Sequence, residues 1–110
     1  MSMKKEIPIS TTHTIANREI AETIGIVKGS SVQTRHIGSH ILSGLQTIIG
    51  GEVKGYSKAL IAAREEATSR MIADAESVGA DAIVGFHFST SQIMEGAAEM
   101  LAYGTAVKLK

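Results

Sequence analysis

Two stretches near the end of the chain constrain the fold more than anything else in it. Residues 80–90 read Ala-Asp-Ala-Ile-Val-Gly-Phe-His-Phe-Ser-Thr, and residues 98–109 read Ala-Glu-Met-Leu-Ala-Tyr-Gly-Thr-Ala-Val-Lys-Leu. Both predict strands, and strand side chains alternate between faces. In the first, Ala82, Val84, Phe86 and Phe88 share one face, and Ile83, Gly85, His87 and Ser89 the other. In the second, Leu101, Tyr103, Val107 and Leu109 oppose Met100, Ala102, Gly104 and Ala106. No face of either strand is convincingly polar, and strands of this kind need cover on both sides. The segment between them, residues 91–97 with Glu95-Gly96, predicts a connection that makes the pair antiparallel.

The rest of the chain must supply that cover. At 110 residues it fits one domain, residues 1–110, able to bury roughly two-thirds of its unfolded surface. Residues 6–10 predict a short extended piece with Ile7 and Ile9 on one side, and residues 11–18 a loop. Glu19 to Thr34 reads as a strand, with Ile20, Ile24 and Ile26 on one face and Thr23, Gly25 and Val27 on the other. Gly29-Ser30-Ser31 predicts a bulge or bend. Arg35 to Ile49 predicts a helix, because Ile37, Ile41, Leu45 and Ile48 step by four, four and three. Gly50-Gly51 ends it. Glu52 to Val78 predicts a second, longer helix along Tyr56, Leu60, Ala63, Ala67, Met71, Ala75 and Val78, with Glu66 and Arg70 as an i,i+4 ion pair.

The expected fold is therefore α+β: a mostly antiparallel sheet of three to four strands with two helices on one face. Nothing remains to cover the second face. Self-association resolves this, with sheets from several copies meeting or closing into a barrel-like homo-oligomer that also removes strand edges. Set against it, Thr23, His87, Ser89 and Thr105 could solvate that face in a monomer.

Composition excludes several functions. The chain has no cysteine, so it has no disulfide framework, thiol nucleophile or thiolate metal site. Lys plus Arg and Asp plus Glu both number 11, and zero net charge argues against an electrostatic grip on nucleic acid or anionic lipid. Aromatic residues are only 4%, too few for a stacking platform on single strands. No apolar run approaches the ~20 residues of a membrane span, and Met1-Ser2-Met3-Lys4-Lys5 leads into no signal-peptide core. A soluble, cytoplasmic protein is expected.

Candidate chemistry centres on histidine. His36 and His40 stand i,i+4 on the first predicted helix, a spacing that can place two imidazoles on one divalent transition metal. A third ligand is needed, with His13, His87 or Glu52 as candidates from this chain or another copy. The bland reading is a polar stripe of His36, His40, Gly44 and Thr47 facing water or a neighbour. His87 could instead point into the lumen of an oligomer, or be a solvated residue of an alternating strand. Gly50 and Gly55 have the spacing of phosphate-loop glycines, but Tyr56-Ser57 follows where Lys-Ser/Thr is required. A helix–helix turn accounts better for them. There is no Gly-x-Ser-x-Gly elbow and no paired-carboxylate site, so no catalytic residue is assigned.

Five motifs taken in order resemble a known family. They are Ser10-Thr11-Thr12; Ile49-Gly50-Gly51 with Gly55-Tyr56; Ala63-Arg64-Glu65; Gly79-Ala80-Asp81-Ala82-Ile83-Val84-Gly85; and Gly104-Thr105-Ala106-Val107. Together they run from about Ser10 to Lys108 and resemble the YbjQ-like family, uncharacterised bacterial and archaeal proteins often called heavy-metal-binding domains. The resemblance implies a small α+β subunit that assembles into a homopentamer with a barrel-like centre. The chain departs from the family pattern at His13, at Ala16-Asn17 and at His36 and His40. The matching residues are glycines and apolar groups, which carry fold and not activity. The sequence thus favours an uncharacterised oligomeric module over an enzyme, binding a metal ion or small ligand at subunit interfaces. The alternatives are a small enzyme with an interfacial site of His36, His40 and Glu52, or a scaffold for protein partners.

Overall fold

The computed structural model describes residues 6–34, 54–94 and 97–110. These form strand β1 (Ile20–Thr34), helix α1 (Lys54–Ser77), strand β2 (Ala82–Met94) and strand β3 (Ala97–Leu109). The sheet is antiparallel throughout, in the order β1-β3-β2, so the last strand lies in the centre. This is the expected α+β class, with three strands and one helix among the described residues. The helix expected over residues 35–49 lies outside them.

Helix α1 packs across β1 and β3 on one face of the sheet. Its small-residue stripe Ala63, Ala67, Met71 and Ala75 is buried against Val27, Ile83, Met100, Ala102 and Ala106. Aliphatic and small, this core is what a chain with few aromatics can build. The closest point is Gly29. A Cβ there would fall on the backbone of Ala67 and Met71 and 2.7 Å from the carbonyl carbon of Arg70. The helix is therefore seated on bare β1 backbone. No bulge occurs at Gly29–Ser31, where one was expected; the β1–β3 register runs unbroken from Gly25 to Thr34.

The irregularities lie elsewhere, and they re-sort the faces. Register shifts fall between Ile20 and Glu22 and between Thr23 and Gly25. As a result Ile24 and Val27 both join the helix-side core, while Ile26 is 79% exposed on the other face. A third shift, between Val84 and His87, makes Phe86 follow Ile83 onto the helix side. The expected grouping of Val84 with Phe86 and Phe88 is thus corrected: Val84 packs with Ala82 and Val107 on the far face. Strand β3 alternates as expected.

Strands β2 and β3 are also longer than the sequence suggests. The segment expected as a connection, residues 91–97, contributes strand up to Met94 and again from Ala97. Ser89, Thr90, Ser91 and Gln92 pair with Leu101, Met100, Glu99 and Ala98. Ladder hydrogen bonds come from the backbone, so a polar run can extend a strand wherever its partner is in register. From His87 to Met94 every residue of β2 is exposed.

The segment before β1 closes part of the sheet. Ile83 donates to the Pro8 carbonyl and Ser10 to the Ile83 carbonyl, each at 2.9 Å, which lays Ile9 beside Ile83 in parallel. Ile7 and Ile9 both pack on the helix-side core. Ile15 then packs on the far face beside Ala82, Val84 and Val107, and a turn with Asn17 at φ 63°, closed by Arg18 N–H donating to the Ile15 carbonyl at 3.1 Å, leads on toward β1. On the opposite edge, helix side chains occupy the β1 backbone: Lys28 N–H donates to Asp74 Oδ2 at 3.1 Å, and Arg70 Nη1 donates to the Ser30 carbonyl at 2.6 Å. No helix among the described residues is long and apolar enough to cross a membrane.

Candidate functional site

Cross-strand register places a row of three polar side chains on the face away from the helix. Lys28 on β1 and His87 on β2 both pair with Tyr103 on β3. Directly paired residues share a face about 4.5–5.5 Å apart at Cβ, so an ammonium, a phenol and an imidazole lie side by side. Ile26 and Thr105 form the next row on one side, Ser30, Leu101 and Ser89 on the other.

His87 is exposed, yet two contacts fix its ring. It stacks on Tyr103 with centroids 5.9 Å apart and planes at 24°. Its Nδ1 lies 3.0 Å from the Gly85 carbonyl oxygen. A carbonyl only accepts, so Nδ1 carries the proton, and in the neutral ring Nε2 keeps its lone pair.

The bulge that aims His87 depends on Gly85. Gly85 and Phe86 together oppose Gly104, and Gly85 has φ 63°, a left-handed conformation that costs other residues about 1–2 kcal/mol. The same residue receives the N-terminal loop. Gly85 N–H donates to the Thr12 carbonyl at 2.8 Å, and His13 Nδ1 stands 3.9 Å from where a Gly85 side chain would begin. Upstream, the Ser10 and Thr12 hydroxyls are 2.5 Å apart, and Thr12 Oγ1 donates to the Thr14 carbonyl at 2.8 Å. The loop thus holds His13 at the edge where the chain turns onto the far face.

Of the candidate ligands, His13 and His87 are thereby brought to one residue, Gly85. His36, His40 and Glu52 lie outside the described residues. Sequence reading missed Lys28 and Tyr103, because only the β1–β3 register shows that they flank one another. It also grouped His87 with Ile83 and Gly85, since no periodicity reveals a bulge. The glycine between Val84 and Phe86 is the one signal that could have prompted the other grouping.

Comparison with known proteins gives a consistent result. A family model described as "Putative heavy-metal-binding" matches residues 7–110. A UPF0145 protein of Archaeoglobus fulgidus is 54% identical over 108 residues, covering 98% of this chain and 100% of the relative. A UPF0145 protein of Photobacterium profundum is 60% identical over 99 residues, covering 90% and 96%. Among solved structures, a protein of unknown function from Pediococcus pentosaceus, assigned to the DUF74 family, matches with a TM-score of 0.62. It is 17% identical, covers 94% of this chain and 98% of its own, and supports the fold alone.

The donor set tests the metal description. The chain has no cysteine, and among the described residues no three His, Cys, Asp or Glu side chains group to hold an ion. Thiophilic heavy metals find no thiolate here. Imidazole suits borderline ions such as Zn²⁺, Ni²⁺ and Cu²⁺.

Proposed function

The chain belongs to the YbjQ-like family, and from that footing we propose that it acts as a homo-oligomeric module holding a divalent transition ion or small ligand where its copies meet. Sheets from several copies come together on their helix-free faces, and the family resemblance implies five of them around a barrel-like centre. The observation that carries this reading is the uncovered sheet. Ile26 at 79%, Val32 at 43% and Tyr103 at 36% exposure lie on the face away from α1. Among the described residues no strand pairs with β2 beyond Phe86 or with the outer side of β1. Exposed apolar groups that adjoin open strand edges mark association surfaces.

Size-exclusion chromatography with light scattering tests the assembly. A single multimeric species at micromolar concentration is expected, and a monomer overturns the reading. Calorimetric titration of the assembled chain with Zn²⁺, Ni²⁺, Cu²⁺ and Co²⁺ tests the ion. Binding supports a metal module, and an intact assembly that takes none of them removes that half. The apolar face favours a binding module over an enzyme, and the sequence carries no Gly-x-Ser-x-Gly elbow. An interfacial enzyme would need His36, His40 and Glu52 gathered in a deep pocket.

A further inference from the structure

We infer that helix α1 guards the outer edge of β1, with Asp74 and Arg70 holding that backbone closed against strand addition by a second copy of the chain. The inference goes beyond the function proposed above, because it concerns an edge where copies are kept apart.

The order β1-β3-β2 leaves the sheet two edges. An edge strand presents unpaired N–H and C=O groups, and these template pairing with another chain unless something blunts them. The first part of the β2 edge is taken by the chain's own N-terminal segment, through Ile83, Gly85 and Phe86. Beyond Phe86 no segment among the described residues pairs with that edge. Residues 87–94, His-Phe-Ser-Thr-Ser-Gln-Ile-Met, are all exposed and include no Lys, Arg, Asp, Glu or Pro, the residues that usually protect an edge.

The β1 edge is built the other way. Its first part is irregular, with register shifts between Ile20 and Glu22 and between Thr23 and Gly25. Its regular part, from Gly25 to Thr34, is gripped in the middle. Lys28 N–H donates to Asp74 Oδ2 at 3.1 Å, and the Ser30 carbonyl accepts from Arg70 Nη1 at 2.6 Å. These backbone groups are bonded to the helix and not to β3, and residues two apart are successive outward-facing positions on an antiparallel edge. An incoming strand needs both. It would have to displace two charge-assisted bonds, each roughly twice as strong as the neutral one it offers. Gly29 makes the grip possible: with no side chain, it lets α1 come down on the strand within reach of both groups. Glu66 steadies Arg70 at 3.2 Å.

Pairing the open β2 edge of one copy with the β1 edge of the next would be a head-to-tail contact. Such contacts grow into filaments unless their rotation closes a ring. Closing β1 removes that route and leaves association to other surfaces.

The double variant Asp74→Ala/Arg70→Ala of the intact chain tests the guard, with light scattering and electron microscopy as readouts. Its mass should rise several-fold above wild type and keep rising with time and concentration, as filaments or sheet-rich aggregates. Ala67→Gly is the control: it loosens the buried stripe of α1, leaves both edge contacts in place, and should keep the wild-type mass. Adding Ser91→Lys to the double variant puts a charge on the open β2 edge and should restore that mass. A double variant that is folded by circular dichroism and keeps the wild-type mass overturns the guard. So does an equal rise in Ala67→Gly, which would trace the growth to lost stability. A rise that survives Ser91→Lys overturns the β2 edge of a second copy as the strand kept out. Should the double variant not fold, amide exchange in the wild type decides. The Lys28 N–H should be protected by roughly ten-fold or more although no strand lies beside it, and unprotected exchange overturns the guard. The reference is the mass that the wild type itself shows, so a monomeric wild type overturns the function proposed above and not the guard.

Discussion

Replacing Gly29 with alanine tests whether α1 is truly seated on bare strand backbone. The new Cβ would lie 2.7 Å from the Arg70 carbonyl carbon and nearer still to Met71 N and the Ala67 carbonyl oxygen. All three are backbone atoms inside a helix, so no side chain can swing aside. Restoring ordinary contact means lifting α1 by about 1 Å, which loosens Ala63, Ala67, Met71 and Ala75 together. Overpacking of this kind costs about 1–3 kcal/mol, and here the upper end applies because the obstacle is rigid. The unfolded chain returns about 0.4–1 kcal/mol, since alanine has less freedom to lose than glycine. A net loss of about 2–3 kcal/mol follows, or roughly 10–15 °C in Tm for a domain of this size. Gly79→Ala is the control. Its Cβ would meet only the Lys108 ammonium at 3.4 Å, the mobile end of a side chain, although φ is +76°. Left-handed strain of about 1–2 kcal/mol, less the same return, leaves a loss of about 1 kcal/mol. Urea unfolding followed by circular dichroism, at matched protein concentration, separates the two. A Gly29→Ala variant no less stable than Gly79→Ala would refute the backbone contact.

Two further substitutions probe the edge and the open face. Ser31 is fully buried and donates through Oγ to Glu66 at 2.8 Å, while Arg70 approaches the same carboxylate oxygen at 3.2 Å. Glu66→Ala should therefore cost about 1–2 kcal/mol in urea unfolding, against about 0.5 kcal/mol or less for exposed Glu65→Ala. Equal effects would show that the Ser31–Glu66–Arg70 contacts contribute nothing. Ile26→Glu, at a side chain 79% exposed, should leave the fold of a single chain within about 0.5 kcal/mol of wild type yet shift light-scattering mass toward monomer. An unchanged multimer would place Ile26 outside the association surface.

Much of the fold is legible in the sequence because it follows from period and punctuation. The steps through Ala63, Ala67, Met71 and Ala75 mark the buried stripe of α1, and the alternation from Met100 to Leu109 marks both faces of β3. What escapes is what register decides. Ile24 and Val27 share a face only because β1 slips between Thr23 and Gly25. Val84 and Phe86 part company only because Gly85 inserts an extra residue. Ser89 to Gln92 become strand only because β3 offers a ladder opposite. The site has the same character. His13 and His87 stand out by residue type, but they are 74 positions apart, and only the pairing of Thr12 with Gly85 sets His13 beside the bulge that turns His87. Lys28 and Tyr103 give no signal at all until β1 and β3 are aligned.

In the proposed assembly the open sheet face is covered by further copies of the same chain. Native mass spectrometry of the intact chain measures this directly. Five copies of 11.6 kDa, a species of about 58 kDa, are expected, with the same species retained when the protein is diluted through the micromolar range. A single species of 11.6 kDa would contradict it, because the face carrying Ile26, Val32 and Tyr103 would then be open to water.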